Sequence, residues 1–157
     1  MEEEEIKEKI YSIFANIANS LGYSEVYGRI IACLLIHEGP VALNDIAKET
    51  GYSSSMVSLS VDFLENIGMV KRVKKPADKK LYLQSSGSLL DGLKKAVLMK
   101  IEKNVSDSLQ KYELYKRELK KIRSMESERL LKAIEKLGKE IKKLDSYVKI
   151  LSKFKLP

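Results

Sequence analysis

Residues 44–84 read NDIAKETGYSSSMVSLSVDFLENIGMVKRVKKPADKKLYLQ, and this stretch decides the fold. Asn44 is a suitable cap for a short helix over 45–50, and Gly51 supplies a turn after it. Ser53 caps a second helix that runs to about Ile67 and stops at Gly68, a natural residue just past a helix end. Its inward face is Val57, Ser60, Val61, Leu64 and Ile67. Two ribbons follow, over 69–74 and 81–84, joined by a basic loop with Pro76, Ala77 and Asp78 at its tip. Their alternation and turn chemistry predict a β-hairpin. Helix, glycine turn, helix, basic hairpin is a helix-turn-helix followed by a wing.

Upstream, Ile6, Ile10, Ile13, Phe14, Ile17 and Leu21 mark one apolar stripe of an amphipathic helix that Gly22 ends. Ser24 caps the next helix, which reaches about His37 and is apolar nearly all round. Such a helix belongs at the centre of a fold. Gly39-Pro40 then breaks the chain. Downstream, residues 89–154 hold no Pro, and the series Leu93, Val97, Ile101, Val105, Leu109, Tyr112, Leu119, Ile122 keeps helical spacing. A polar interruption at 123–129 separates it from a regular heptad run. Leu130, Leu137, Leu144 and Leu151 recur every seven residues, with Ile134, Ile141 and Val148 between them. Leu at one seam position and β-branched residues at the other favour a two-stranded coiled coil. The seam either pairs two subunits or folds back on the 89–122 helix. The expected architecture is mainly α with a small β-hairpin wing. A winged helix-turn-helix domain with its N-terminal helix spans 1–87, and a helical, coiled-coil-like dimerisation region spans 88–157.

The net charge of +7 is unevenly spread. Residues 1–20 carry −3, residues 21–90 carry +1 and residues 91–157 carry +9. Within the middle segment, Lys71, Arg72, Lys74, Lys75, Lys79 and Lys80 are offset only by Asp78, a cluster of +5 on the hairpin. That cluster suits a polyanion, whereas the C-terminal excess reads as a solvated helix face. The outward residues at the start of the second helix are Ser54, Ser55, Ser58 and Leu59. Small hydroxyls there can approach phosphates and base edges closely.

One Cys and one His leave little chemistry. They exclude an intrachain disulfide and zinc sites of the usual Cys/His kind. No Gly-rich phosphate loop or nucleophile motif is present, so no enzyme activity and no cofactor are expected. Cys33, inside an apolar helix, reads as a buried inert thiol, and His37 as a helix-end residue suited to the dipole. Tyr11, Phe14, Tyr23 and Tyr27 are either core aromatics or the lining of a small-molecule effector pocket. No apolar run is long enough for a bilayer, and the Glu2–Glu5 run is the reverse of a signal peptide's basic start. A cytoplasmic protein without a membrane partner is expected.

At this point the residues resemble a known family. GYSEVYGRI at 22–30, PVALNDIA at 40–47, GYSSSMVS at 51–58, LENIGMVKRV at 64–73 and PADKKLY at 76–82 are similar to winged-helix regulators of the MarR superfamily. The GbsR-like branch, with its archaeal members, is the nearest in pattern. The resemblance covers about residues 20–87. It implies a homodimeric DNA-binding transcription factor, usually a repressor, dimerised by helices outside the winged domain. By position, it places Ser54, Ser55, Ser58 and Leu59 at the major groove, Lys79 and Lys80 where the family's wing carries its Asp-Arg-Arg motif, and Asp78 as the acid that orients the wing. Lys in place of Arg at both wing positions is a departure, because Lys lacks the bidentate fork and reads a narrow minor groove less well.

The residues and the resemblance together assign double-stranded DNA as partner. Contacts are expected from Asn44, Ser53, Ser54, Ser55, Ser58, Leu59, Lys74, Lys75, Lys79 and Lys80, and self-association through Leu130, Ile134, Leu137, Ile141, Leu144, Val148 and Leu151. The second helix has no Lys or Arg, so direct bidentate reading of guanine is not available to it. The alternatives are a winged-helix protein-interaction module, or a general DNA-binding architectural protein without an operator.

Overall fold

The computed structural model describes all 157 residues, as six helices and three short strands. Two compact units divide the chain, Met1–Leu93 and Lys94–Pro157.

The first unit begins with α1 (Glu3–Ser20) and α2 (Glu25–His37). Gly22 adopts φ +79, and the N–H groups of Gly22 and Tyr23 close on the carbonyls of Asn19 and Ala18. That satisfies the last carbonyls of α1 and turns the chain. Ser24 caps α2 by accepting from the Val26 N–H. As its composition predicts, α2 is the centre of the unit: Ile30, Ile31, Ala32, Cys33 and Leu34 are all buried. Burial of each large apolar side chain contributes about 1.5–3 kcal/mol.

Next come β1 (Val41–Ala42), α3 (Leu43–Thr50) and α4 (Ser54–Asn66), with β2 (Val70–Val73) and β3 (Tyr82–Ser85) forming the hairpin. The sheet is antiparallel in the order β1-β3-β2, with Val41 opposite Leu83 and Val73 opposite Tyr82. The first strand is absent from the sequence reading, because two residues are too few to show alternation. It corrects the expected role of Asn44. Ala42, not Asn44, occupies the N-cap of α3, and the Leu43 N–H donates to the Leu81 carbonyl at 3.0 Å. A strand running straight into the helix satisfies that first N–H, so no side-chain cap is used. Gly51, at φ +78, makes the turn into α4, and Ser53 caps α4 by accepting from the Met56 N–H.

A long helix, α5 (Leu89–Lys121), starts in the first unit and continues into the second, where α6 (Met125–Lys153) follows it. The polar interruption is the turn between them. Ser124 and Ser127 form a reciprocal capping box there, and the Ser127 hydroxyl also donates to the Ile122 carbonyl. Lys94 reaches the carbonyls of Ser152 and Phe154 at the far end, so the two helices form an antiparallel hairpin. Val148 is buried, and Ile134, Ile141 and Leu151 are half-buried. Leu130, Leu137 and Leu144 remain 43–50% exposed. One half of the heptad seam thus folds inward and the other half is uncovered. No helix is long and apolar enough to cross a membrane.

Candidate nucleic-acid interface

The capped start of α4 presents Ser54, Ser55, Ser58 and Leu59 outward, while Val57, Ser60, Val61 and Leu64 are buried beneath. Leu59 is 81% exposed, so this surface carries an apolar tip among the hydroxyls. Asn44 projects from the first turn of α3, and its Oδ1 accepts a hydrogen bond from the Ser54 hydroxyl at 2.9 Å. That bond ties the two helices of the helix-turn-helix together at the surface. It engages the carbonyl oxygen of Asn44 and not its amide N–H groups.

The hairpin is organised by Asp78. Its carboxylate accepts from the Lys80 N–H at 2.9 Å and from the Tyr82 hydroxyl at 2.6 Å. Lys75 lies over the Tyr82 ring, 4.3 Å from its centroid. The loop therefore has a defined shape, with Lys74, Lys75, Lys79 and Lys80 all exposed on it. The Tyr82 hydroxyl, and after it the Lys80 N–H, hold the Asp78 carboxyl below the ordinary carboxylate range. A lowered folded-state value means that this order is present above the ordinary carboxylate range and is lost as pH falls through the lowered value. In a carbon-detected carboxyl titration, Asp78 is expected to show a midpoint below that of a free Asp, with the Tyr82 ring signals moving at the same pH. Asp78→Asn should abolish that shared transition; a Tyr82 signal that still moved with it would dissociate the pair.

One member of the basic cluster is paired within the domain. Arg72 donates to Asp62 at 2.6 Å and to Glu65 at 2.5 Å, both on the later half of α4. Asp62 and Glu65, whose charge would repel a polyanion at this helix, are thereby neutralised in part by the hairpin's own arginine. The sequence shows the residues but not the pairing, which depends on the return of β2 alongside α4.

Across an open cleft from Lys75 and Tyr82 of the hairpin is a polar cluster that the sequence did not reveal. Glu49 of α3 accepts from the Tyr11 hydroxyl at 3.0 Å and from the Cys33 thiol at 3.6 Å. It also lies 2.6 Å from His37 Nε2 and 3.3 Å from Lys7 Nζ. Burial pushes the Glu49 carboxyl up, but bonds from Tyr11, His37 and Lys7 outweigh it and leave it below its ordinary value. Burial, reinforced by Glu49, pushes the Cys33 thiol up to about 11. His37 is thus a partner of Glu49, and the left-handed Glu38 ends α2.

The four candidate pocket aromatics do not converge. Tyr11 points to Glu49, and Phe14 is half-buried on α1. Tyr23 and Tyr27 pack instead on Phe63, with ring centroids 4.9 and 4.6 Å from it.

No protein-family model and no curated protein matches the sequence. Solved structures do match the fold. A crystal structure of a transcriptional regulator superposes with a TM-score of 0.62 over 91% of this chain and 92% of that one, at 14% identity. The winged-helix architecture with long C-terminal helices is therefore shared with a known regulator. A mutant of MepR from S. aureus, bound to an oligodeoxyribonucleotide, matches over 90% of this chain and 94% of that one at 19% identity, with a TM-score of 0.44.

Proposed function

We propose that this chain is a DNA-binding transcriptional regulator of the MarR superfamily type, close to the GbsR-like branch, without enzyme activity. The observation that carries the reading is the exposed, small-residue start of α4 beside a shaped hairpin bearing four exposed lysines. In this reading α4 enters the major groove. Ser54, Ser55, Ser58 and Asn44 meet phosphates and base edges, and Leu59 meets a thymine methyl. Lys74, Lys75, Lys79 and Lys80 hold the flanking backbone. The repressor role rests on the sequence resemblance. The test is selection of bound fragments from a random duplex library. Enrichment of a two-fold symmetric site, with half-sites about one helical turn apart, is expected. Absence of binding to any duplex at low salt would favour the protein-interaction reading, for which the uncharged, leucine-bearing face of α4 is the supporting observation.

A two-fold operator needs two copies of the chain. The uncovered leucines of α6 support self-association, because half of a heptad seam is left without a partner inside the hairpin. Light scattering on the full chain should give twice the monomer mass. Glu substituted together at Leu130, Leu137 and Leu144 should give the monomer. A triple variant that stays dimeric would move the interface away from this stripe.

A further inference from the structure

We infer that Cys33, His37 and Glu49 form a binding site for a single transition-metal ion of borderline softness, zinc above all. Their ligand atoms lie within 4.8 Å of one another. Cys33 and His37 are four residues apart on α2, so both side chains leave the same face of the helix. That spacing is the one by which two ligands on a helix grip a single ion. Glu49 arrives from α3 and already touches both, 3.6 Å from the thiol sulfur and 2.6 Å from the imidazole. In a tetrahedral site with bonds of about 2.0–2.3 Å, neighbouring ligand atoms stand roughly 3.3–3.7 Å apart. To reach that geometry the widest separation, at most 4.8 Å, must close by about 1 Å, and the 2.6 Å contact between His37 and Glu49 must open by nearly as much.

The chemistry of the set favours zinc. One thiolate, one imidazole and one carboxylate are the three ligand types zinc takes, and a three-ligand site leaves a fourth position for water. Hard cations such as magnesium or calcium prefer oxygen alone. The Tyr11 hydroxyl, on the carboxylate at 3.0 Å, is placed to orient Glu49 from behind. Lys7 now supplies the positive charge at the carboxylate. A metal ion replaces that charge, and the thiol proton leaves to solvent as the sulfur binds. Cys33 is fully buried, but His37 and Glu49 line an open cleft with Pro40, Asp45 and Tyr82, which provides the path inward. One Cys and one His exclude only a zinc site of the usual Cys/His kind; here the third ligand is a carboxylate brought in by the fold.

The test uses the full chain, stripped with a chelator and titrated with Co(II), then with Zn(II) against a chromophoric competitor. One equivalent of Co(II) is expected to give a thiolate-to-cobalt charge-transfer band with intense tetrahedral d–d bands, and Zn(II) to displace it. Cys33→Ser should remove the charge-transfer band. Cys33→Ser and His37→Gln should each weaken Zn(II) binding more than about 100-fold, beyond the range of an outer-shell change. Lys7→Met, which removes the competing cation, should strengthen it. X-ray absorption on the unmodified zinc-loaded protein should show one sulfur among nitrogen and oxygen neighbours, a readout independent of whether the variants fold. Absence of the charge-transfer band, a sulfur-free shell, or unchanged affinity in folded Cys33→Ser would each overturn the proposal.

Discussion

Changing Lys74, Lys75, Lys79 and Lys80 to Ala together is expected to lower duplex affinity about 1000-fold at 0.1 M salt. Each lysine that neutralises a phosphate releases a counterion and adds roughly 0.9 to the slope of log affinity against log salt. Relative to 1 M salt, where the counterion contribution vanishes, 0.1 M gives about 0.9 of a decade per contact, so four full contacts amount to roughly 3.6 decades. Lys75 is partly engaged with the Tyr82 ring, which lowers the sum to about three. The slope itself should flatten by about 3, measured by fluorescence anisotropy over a salt series. Arg72 provides a contrast. It is bound to Asp62 and Glu65. Arg72→Ala should therefore weaken binding by releasing two carboxylates toward the duplex, without removing a phosphate contact. A quadruple variant with the wild-type slope would exclude the hairpin from DNA binding.

The order of elements from α1 to the hairpin was legible because each boundary carries its own chemistry. Ser24 and Ser53 are caps, and Gly22, Gly51 and Gly68 take positive φ where the chain turns. The buried centre was legible in the unbroken apolar run of α2. What sequence could not show was pairing at a distance. The strand at Val41–Ala42 exists only because β3 returns to it. Asn44 loses a capping role for the same reason and gains Ser54 as partner. Glu49 reads as an ordinary helical acid until α1 and α2 bring Tyr11, Cys33, His37 and Lys7 around it. The heptads were visible, but not their division. The β-branched positions turn in toward α5 while Leu130, Leu137 and Leu144 stay uncovered, and periodicity is identical for both sets. The candidate surface was legible as a list of exposed small and basic residues. Its electrostatics were not, because the Arg72 pairing depends on a tertiary contact.

The same substitution, Gly to Ala, is expected to have opposite effects at two helical positions. At Gly28, a methyl carbon would stand 2.8 Å from the Ala15 nitrogen and closer still to the Phe14 carbonyl. Both are backbone atoms of α1, so no side chain can swing aside, and α1 itself must move. Ala gains about 1 kcal/mol over Gly in helix propensity, which works against the clash. Overpacking typically costs 1–3 kcal/mol, and backbone meeting backbone belongs at or above the top of that range. The net expectation is a loss of about 2 kcal/mol. For a unit of 93 residues that corresponds to a fall in melting temperature of roughly 8–16 °C by circular dichroism. Moving α1 also draws Tyr11 away from Glu49, so Tyr11 should lose its burial in parallel. At Gly138, in α6, an added methyl meets nothing within 4 Å. There only propensity acts, and Gly138→Ala should stabilise the hairpin by about 0.5–1 kcal/mol. If Gly28→Ala also stabilised the protein, α1 and α2 could not be in backbone contact at that point. The placement of Glu49 against α1, and the cluster built on it, would then need revision.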